Sequence, residues 1–146
     1  MDKCVLDACA LIAFTYKEEG ADIVKALLIN AEKGDVEVYM NKVNLFEVYY
    51  NARRSEGLEK ADAFYTMIQK MPIMVINGIS DEVLYEAGRI KSTYKVSLAD
   101  SIALGEASVL QASIYTSDHH EFDTIESNES IKWVYHKIWG RQKVFA

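Results

Sequence analysis

The chain has 146 residues, of which 50% are hydrophobic and 26% are charged, and its net charge is −6. This length fits one domain with a core large enough to fold without disulfide or metal staples. The acidic balance argues against a general nucleic-acid binder. No apolar stretch approaches the ~20 residues that a membrane helix needs, and we expect neither a membrane segment nor a secretory signal.

Charge is distributed unevenly along the chain. Residues 131–146 contain no acid and four bases, namely Lys132, Lys137, Arg141 and Lys143. The pattern fits either an acidic site beside a basic edge that contacts phosphates or a solvated C-terminal tail. On the first interpretation, Arg53 and Arg54 are further candidates for phosphate contacts.

Apolar runs alternate with stretches of helical periodicity in the first half of the chain. In chain order the sequence predicts a strand at 3–7, helices at 8–16 and 21–33, a strand at 36–40, and helices at 44–56 and 58–71. Gly34, Gly57 and Pro72 follow the three longer helices, where residues that end a helix are expected. Cys4 and Cys9 are both assigned to the first strand region, on opposite faces. They are therefore not expected to pair, which suits a reducing cytoplasm.

The second half continues the alternation. The sequence predicts a strand at 73–76, helices at 80–94 and 97–111, and strands at 113–117 and 131–135. Ser80 and Ser97 stand where N-caps belong, and Ser97 to Asp100 matches a Ser-x-x-Asp capping box. Strands that alternate with helices predict a parallel sheet covered on both faces. In such sheets, ligands collect at the carboxyl ends of the strands, near a switch in strand order.

Four acidic residues occupy positions from which they can meet at that edge. Asp7 closes the first predicted strand, and Asp118 follows a later one. Asp100 lies in the first turn of a helix, and Glu47 lies within another helix. Hard divalent cations such as Mg²⁺ and Mn²⁺ take oxygen ligands, and phosphodiester cleavage uses such a metal to activate water. The four acids are therefore candidate catalytic residues and metal ligands.

Each acid also has a structural interpretation. Asp100 is placed where a negative charge stabilises the N-terminus of a helix. Asp118 is placed where an N-cap belongs, with Glu121 three residues later to complete a capping box. Glu47 suits an exposed position beside an apolar stripe. Asp7 lies in an almost wholly apolar stretch, where a buried carboxylate needs a partner or a cation.

Histidines and tyrosines give weaker signals. His119 and His120 are interpreted as surface residues near the site, and His136 as structural. Four tyrosines are interpreted as core or interface residues rather than base-stacking platforms, namely Tyr49, Tyr50, Tyr65 and Tyr94. The sequence contains no P-loop, no dinucleotide-binding glycine motif and no nucleophile elbow.

Four segments together resemble the motifs of the PIN-domain family. They are residues 5–13, 44–48, 97–104 and 115–122, which contain Asp7, Glu47, Asp100 and Asp118 in that order. The resemblance runs from Lys3 to about Val134. It implies a three-layer α/β/α fold with a central parallel sheet, in a single PIN-like nuclease domain over residues 1–146.

The resemblance also implies an activity and partners. It implies that the four acids converge on Mg²⁺ or Mn²⁺ and that single-stranded RNA is cut by metal-activated water. Compact members are often VapC-like toxins of type II toxin–antitoxin pairs, neutralised by a small antitoxin protein, and they often form homodimers. The expected partners are therefore RNA, an antitoxin and a second copy of the chain, in the cytoplasm.

Some alternatives stay open. Cys9 stands where family members often have Ser or Thr, and Asp123 is a candidate outer acid. Within the same fold, the alternative is a PIN domain that no longer cuts and only binds RNA or protein. A haloacid-dehalogenase phosphatase needs an aspartate where Cys9 stands, and a receiver domain needs paired acids after the first strand, so both rank lower.

Overall fold

The protein folds around a parallel β-sheet, as seen in a computed structural model that describes residues 1–117 and 122–133. Its strands are β1 (Asp2–Leu6), β2 (Val36–Asn41), β3 (Met74–Ile76), β4 (Ser113–Tyr115) and β5 (Lys132–Trp133). Its helices are α1 (Ala8–Thr15), α2 (Ala21–Glu32), α3 (Lys42–Glu56), α4 (Leu58–Gln69), α5 (Asp81–Thr93), α6 (Leu98–Leu110) and α7 (Asp123–Asn128). All four neighbouring strand pairs are parallel, as predicted.

Alternate residues of the central strand face two separate cores. Cys4 and Leu6 of β1 pack in a cluster with residues of α1, α2, α3 and α4. Val5 belongs to a second cluster, with residues of α5, α6 and the start of α7. Helices thus cover both faces of the sheet, which confirms the three-layer α/β/α architecture.

The strand order β3-β2-β1-β4-β5 changes direction at β1. From β1 the chain first adds β2 and β3 on one side, and then adds β4 and β5 on the other. The switch point therefore lies between the carboxyl ends of β1 and β4, where open α/β sheets bind ligands. The backbone N–H of Asp7 donates to the Tyr115 carbonyl at this point, at 3.3 Å.

Three local predictions differ from the structure. Helix α3 begins at Lys42 rather than at residue 44, because the Asn41 side chain caps it by accepting a hydrogen bond from the Val43 N–H. Helix α7 was not predicted from the sequence. Cys9 lies in α1 rather than on the strand of Cys4, and no disulfide joins the two.

Helices α5 and α6 approach each other closely at Gly105. A Cβ added there would lie 3.0 Å from the Cβ of Ala87 and 3.1 Å from its backbone nitrogen. A glycine is therefore what allows this close crossing. None of the helices in the described part of the chain has the length and apolar character needed to cross a lipid bilayer.

Candidate active site

Asp7 is fully buried at the end of the central strand. It is the N-cap of α1, and its Oδ1 accepts a hydrogen bond of 2.9 Å from the Ala10 N–H. The cap supplies one of the partners that a buried carboxylate needs, and it was not anticipated from the sequence. It also fixes the orientation of the carboxylate at the switch point of the sheet.

Asp100 is buried in the first turn of α6. The Ser97 hydroxyl accepts a hydrogen bond of 3.1 Å from the Asp100 N–H, so the predicted N-cap is present. Both features agree with the capping interpretation of Asp100. The capping interpretation does not explain why the Asp100 carboxylate is buried, because an aspartate that only interacts with a helix dipole can remain in water.

Helix α3 brings two polar side chains towards the start of α6. Asn44 is fully buried, and its Nδ2 donates to the Ala99 carbonyl at 3.0 Å, next to Asp100. Glu47 follows Asn44 by three residues, which places both on one side of the helix. Glu47 is half-buried rather than exposed. Helix α3 packs against both α1, which follows Asp7, and α6, which carries Asp100.

Among the described residues, no three carboxylate, histidine or cysteine side chains come together as a metal-binding cluster. Asp118 lies outside the described residues, as do His119, His120 and His136. Asp123 is the first residue of α7. The convergence of the four acids on one metal therefore stays a prediction.

The donor chemistry nevertheless fits a hard divalent cation. Asp7 and Asp100 offer buried carboxylates, and the Oδ1 of Asn44 is a buried oxygen that accepts no hydrogen bond within the described residues. Buried polar atoms of this kind cost free energy unless they gain a partner. Oxygen donors are the ligands that Mg²⁺ and Mn²⁺ prefer. Asn44 was not singled out from the sequence, although its three-residue spacing from Glu47 was a usable signal.

A second polar network lies beside the site, in the interior between the sheet and α6. Glu106 is buried and accepts a hydrogen bond of 2.9 Å from the Asn41 Nδ2, which also donates to the Gly78 carbonyl. Burial raises the pKa of Glu106, and the hydrogen bond from Asn41 offsets this only in part. Asn41 thus links α6 and the turn after β3 to the N-terminus of α3.

The outer face of α3 carries two exposed aromatic rings. Phe46 is 61% exposed and Tyr50 is 38% exposed, with ring centroids 5.4 Å apart. The Arg54 guanidinium lies 5.4 Å from the centre of the Tyr50 ring. With Lys42, these residues recur every four positions, and we refer to Lys42, Phe46, Tyr50 and Arg54 as the α3 strip.

Other tyrosines contact residues within the fold, which agrees with their interpretation from the sequence as core or interface residues. The Tyr49 hydroxyl donates to Asp62 at 2.6 Å, and its ring meets that of Tyr65 edge-on. The Tyr94 hydroxyl donates to Glu129. Of the predicted phosphate contacts, Arg53 and Arg54 are exposed on the last turn of α3. Lys137, Arg141, Lys143 and the side chain of Lys132 lie outside what the structure describes.

The sequence profile of the PIN-domain family matches residues 4–127, which is most of the chain. The chain belongs to the PIN-domain family. No curated protein sequence matches it significantly. The family match covers all four motifs, and it accounts for the parallel sheet between helices.

Solved structures share the fold of this PIN domain. A chain of the DNA-bound VapBC complex from Salmonella typhimurium superposes with a TM-score of 0.71 at 19% identity, covering 92% of this chain and 98% of that one. VapBC-1 from nontypeable Haemophilus influenzae gives 0.68 at 19% identity, covering 90% and 96%. The VapC20 toxin of Mycobacterium tuberculosis, described as cleaving the sarcin-ricin loop, gives 0.60 at 12% identity, covering 83% and 94%. At these identities the likeness establishes the fold.

Proposed function

We propose that this PIN domain is a Mg²⁺- or Mn²⁺-dependent endoribonuclease and the toxin of a type II toxin–antitoxin pair. The observation that carries the proposal is the position of Asp7, a fully buried carboxylate at the switch in strand order of a PIN fold. Asp100 and Asn44 add buried oxygen atoms near the same edge. The cap alone does not require a carboxylate, because Ser or Asn also provides it.

In the proposed mechanism, Asp7, Asp100 and Asp118 would hold the cation, and Glu47 on α3 would bind or orient the attacking water. A bound Mg²⁺ or Mn²⁺ offsets negative charge on the phosphate and makes water a better nucleophile. The cap on α1 holds the Asp7 carboxylate in place, and the Ser97 cap holds the turn that carries Asp100. Water then attacks phosphorus and the 3′ oxygen leaves, which gives 5′-phosphate and 3′-hydroxyl ends.

The proposed partners follow from the same function. An antitoxin protein neutralises the toxin, a role supported by the VapBC complexes that share this fold. The enzyme is proposed to form a homodimer and to act on RNA in the cytoplasm. Purification with the product of a neighbouring reading frame tests the antitoxin, which should co-purify and suppress cleavage.

Cleavage of a structured RNA in Mn²⁺ tests the enzyme. Asp7→Asn and Asp100→Asn remove charge with little change of shape, and both should abolish cutting. Asp81→Asn is the matched control, because Asp81 also lies in the first turn of a helix but is exposed. Cutting by either well-folded site variant would contradict the mechanism. RNA binding by the wild type without cutting would instead favour the catalytically silent module.

A further inference from the structure

The α3 strip leaves apolar surface in water. Phe46 and Tyr50 occupy successive turns of α3 on its outer face, and both rings are exposed, Phe46 more than Tyr50. Tyr49, one position earlier on the helix, is by contrast hydrogen-bonded and packed against Tyr65. The exposed rings are therefore not part of the α3–α4 core, and their exposure favours a binding role.

Cations bracket the two rings. Lys42 precedes Phe46 by one turn, and Arg54 follows Tyr50 by one turn, so the strip reads cation, ring, ring, cation. At 1.5 Å per residue it is ~18 Å long. No carboxylate occupies any of its four positions, although the chain as a whole is acidic. Aromatic rings that stack on nucleobases, with a cationic side chain at each end that contacts phosphates, form the arrangement that binds single-stranded nucleic acid.

The strip also lies next to the candidate active site. Glu47 follows Phe46 directly, and the helical turn places it on the flank of the strip that leads to Asn44 and α6. On the other flank, Lys42 and Phe46 border a cavity of about 330 Å³ that Leu45, Tyr49 and Tyr65 complete. A strand of RNA on the strip would therefore run beside the acids rather than away from them.

We propose that the α3 strip binds single-stranded RNA by stacking bases on Phe46 and Tyr50, with Lys42 and Arg54 contacting phosphates. The inference rests on the proposed ribonuclease function, and it adds a substrate-binding surface distinct from the four acids. It assigns Tyr50 a role opposite to the one expected from the sequence.

Binding of a short fluorescein-labelled single-stranded RNA, measured by anisotropy, tests the strip. All proteins carry Asp100→Asn and are kept in EDTA, so that the RNA stays intact. Phe46→Ala and Tyr50→Ala should each raise Kd about 5- to 160-fold, the range for loss of one stacked base. Tyr85→Ala is the matched control, because Tyr85 is 75% exposed on α5, and its Kd should not change.

Two further variants separate stacking from simple apolar contact. Phe46→Tyr keeps an aromatic ring and should bind like its parent, whereas Phe46→Leu keeps apolar surface without a ring and should bind like Phe46→Ala. Lys42→Gln and Arg54→Gln should each lower the slope of log Kd against log salt by ~0.7, the value for one phosphate contact on a single strand.

The outcomes distinguish this inference from the proposed function. If the wild type cuts RNA but the Phe46 and Tyr50 variants bind like Tyr85→Ala, the strip inference is wrong and the function stands. If binding depends on the strip but the wild type does not cut in Mn²⁺, only the activity is wrong. If Phe46→Ala and Tyr50→Ala turn a dimer into a monomer in sedimentation and leave RNA affinity unchanged, the strip is a protein interface and the inference is overturned.

Discussion

At the scale of single residues, Asp7 combines a cap with a proposed ligand, and two substitutions separate these roles. Asp7→Asn keeps an oxygen that accepts the Ala10 hydrogen bond, whereas Asp7→Ala loses it. Loss of an N-cap costs about 0.5–2 kcal/mol. In urea denaturation with EDTA, Asp7→Ala should therefore be less stable than Asp7→Asn by that amount, while neither cuts RNA. Equal stability of the two variants would contradict the capping role.

Burial of Glu106 predicts that the stability of the folded protein depends on pH. Because burial raises its pKa in the folded protein, ionising it costs folding free energy. The stability it contributes is complete below the ordinary value of 4.5 and is lost as pH rises through the raised folded pKa. Glu106→Gln keeps an oxygen for Asn41 and cannot ionise. It should match the wild type at acid pH and melt at a higher temperature at pH 8.

The pH comparison has an internal control. Glu82→Gln alters an exposed glutamate of α5, and it should change the melting temperature only slightly at either pH. A Glu106→Gln variant that is less stable than the wild type at pH 8 would show that the ionised form is the stabilising one.

Among the elements, the crossing of α5 and α6 depends on Gly105. Gly105→Ala forces a Cβ against Ala87 and should cost about 1–3 kcal/mol, as overpacking does. Gly88→Ala is the matched control within α5, because its Cβ would meet nothing within 4 Å. Gly88→Ala should instead stabilise by roughly 0.5–1 kcal/mol, since alanine favours helices. Thermal melts of both variants check the prediction, and a stabilising Gly105→Ala would contradict it.

Secondary structure was predictable where periodicity and caps coincide, and less so elsewhere. The apolar spacing and the N-cap residue Ser97 both predict helix α6, and the structure shows the helix with Ser97 as its N-cap. Helix α7 has only six residues, of which Ile125 alone is buried, so no helical period can be recognised. The exposure of Phe46 and Tyr50 was not predictable either, because it depends on which face of α3 packs against α4. That choice is made by tertiary contacts.

The candidate site shows the same division. Asp7 and Asp100 could be proposed from strand ends and helix starts, and both are buried in the structure. The roles of Asn41 and Asn44 could not, because asparagine is equally common in turns and its partners, Glu106 and Ala99, are distant in sequence. Hydrogen bonds across such separations are set by the fold and leave no local pattern.

For the molecule as a whole, a bound cation should stabilise the folded state. A ligand that binds only the native protein adds about 2.7 kcal/mol at one hundred times its Kd. Mn²⁺ or Mg²⁺ should therefore raise the melting temperature of the wild type, and EDTA should reverse the rise. Asp7→Asn and Asp100→Asn should respond less, and Asp81→Asn should respond like the wild type. Absence of heat in calorimetry at millimolar Mn²⁺ would contradict a site that forms without RNA.

The central place of β1 has a consequence for the synthesis of this protein. Asp7 is translated long before β4, the strand that flanks its own strand and ends at Tyr115. Pairing across so long a separation is slow to form and cannot begin until β4 has emerged. A nascent chain that ends before residue 113 has no β4 and no completed switch point. The edge of the sheet proposed to hold the metal is therefore complete only after β4 has been translated.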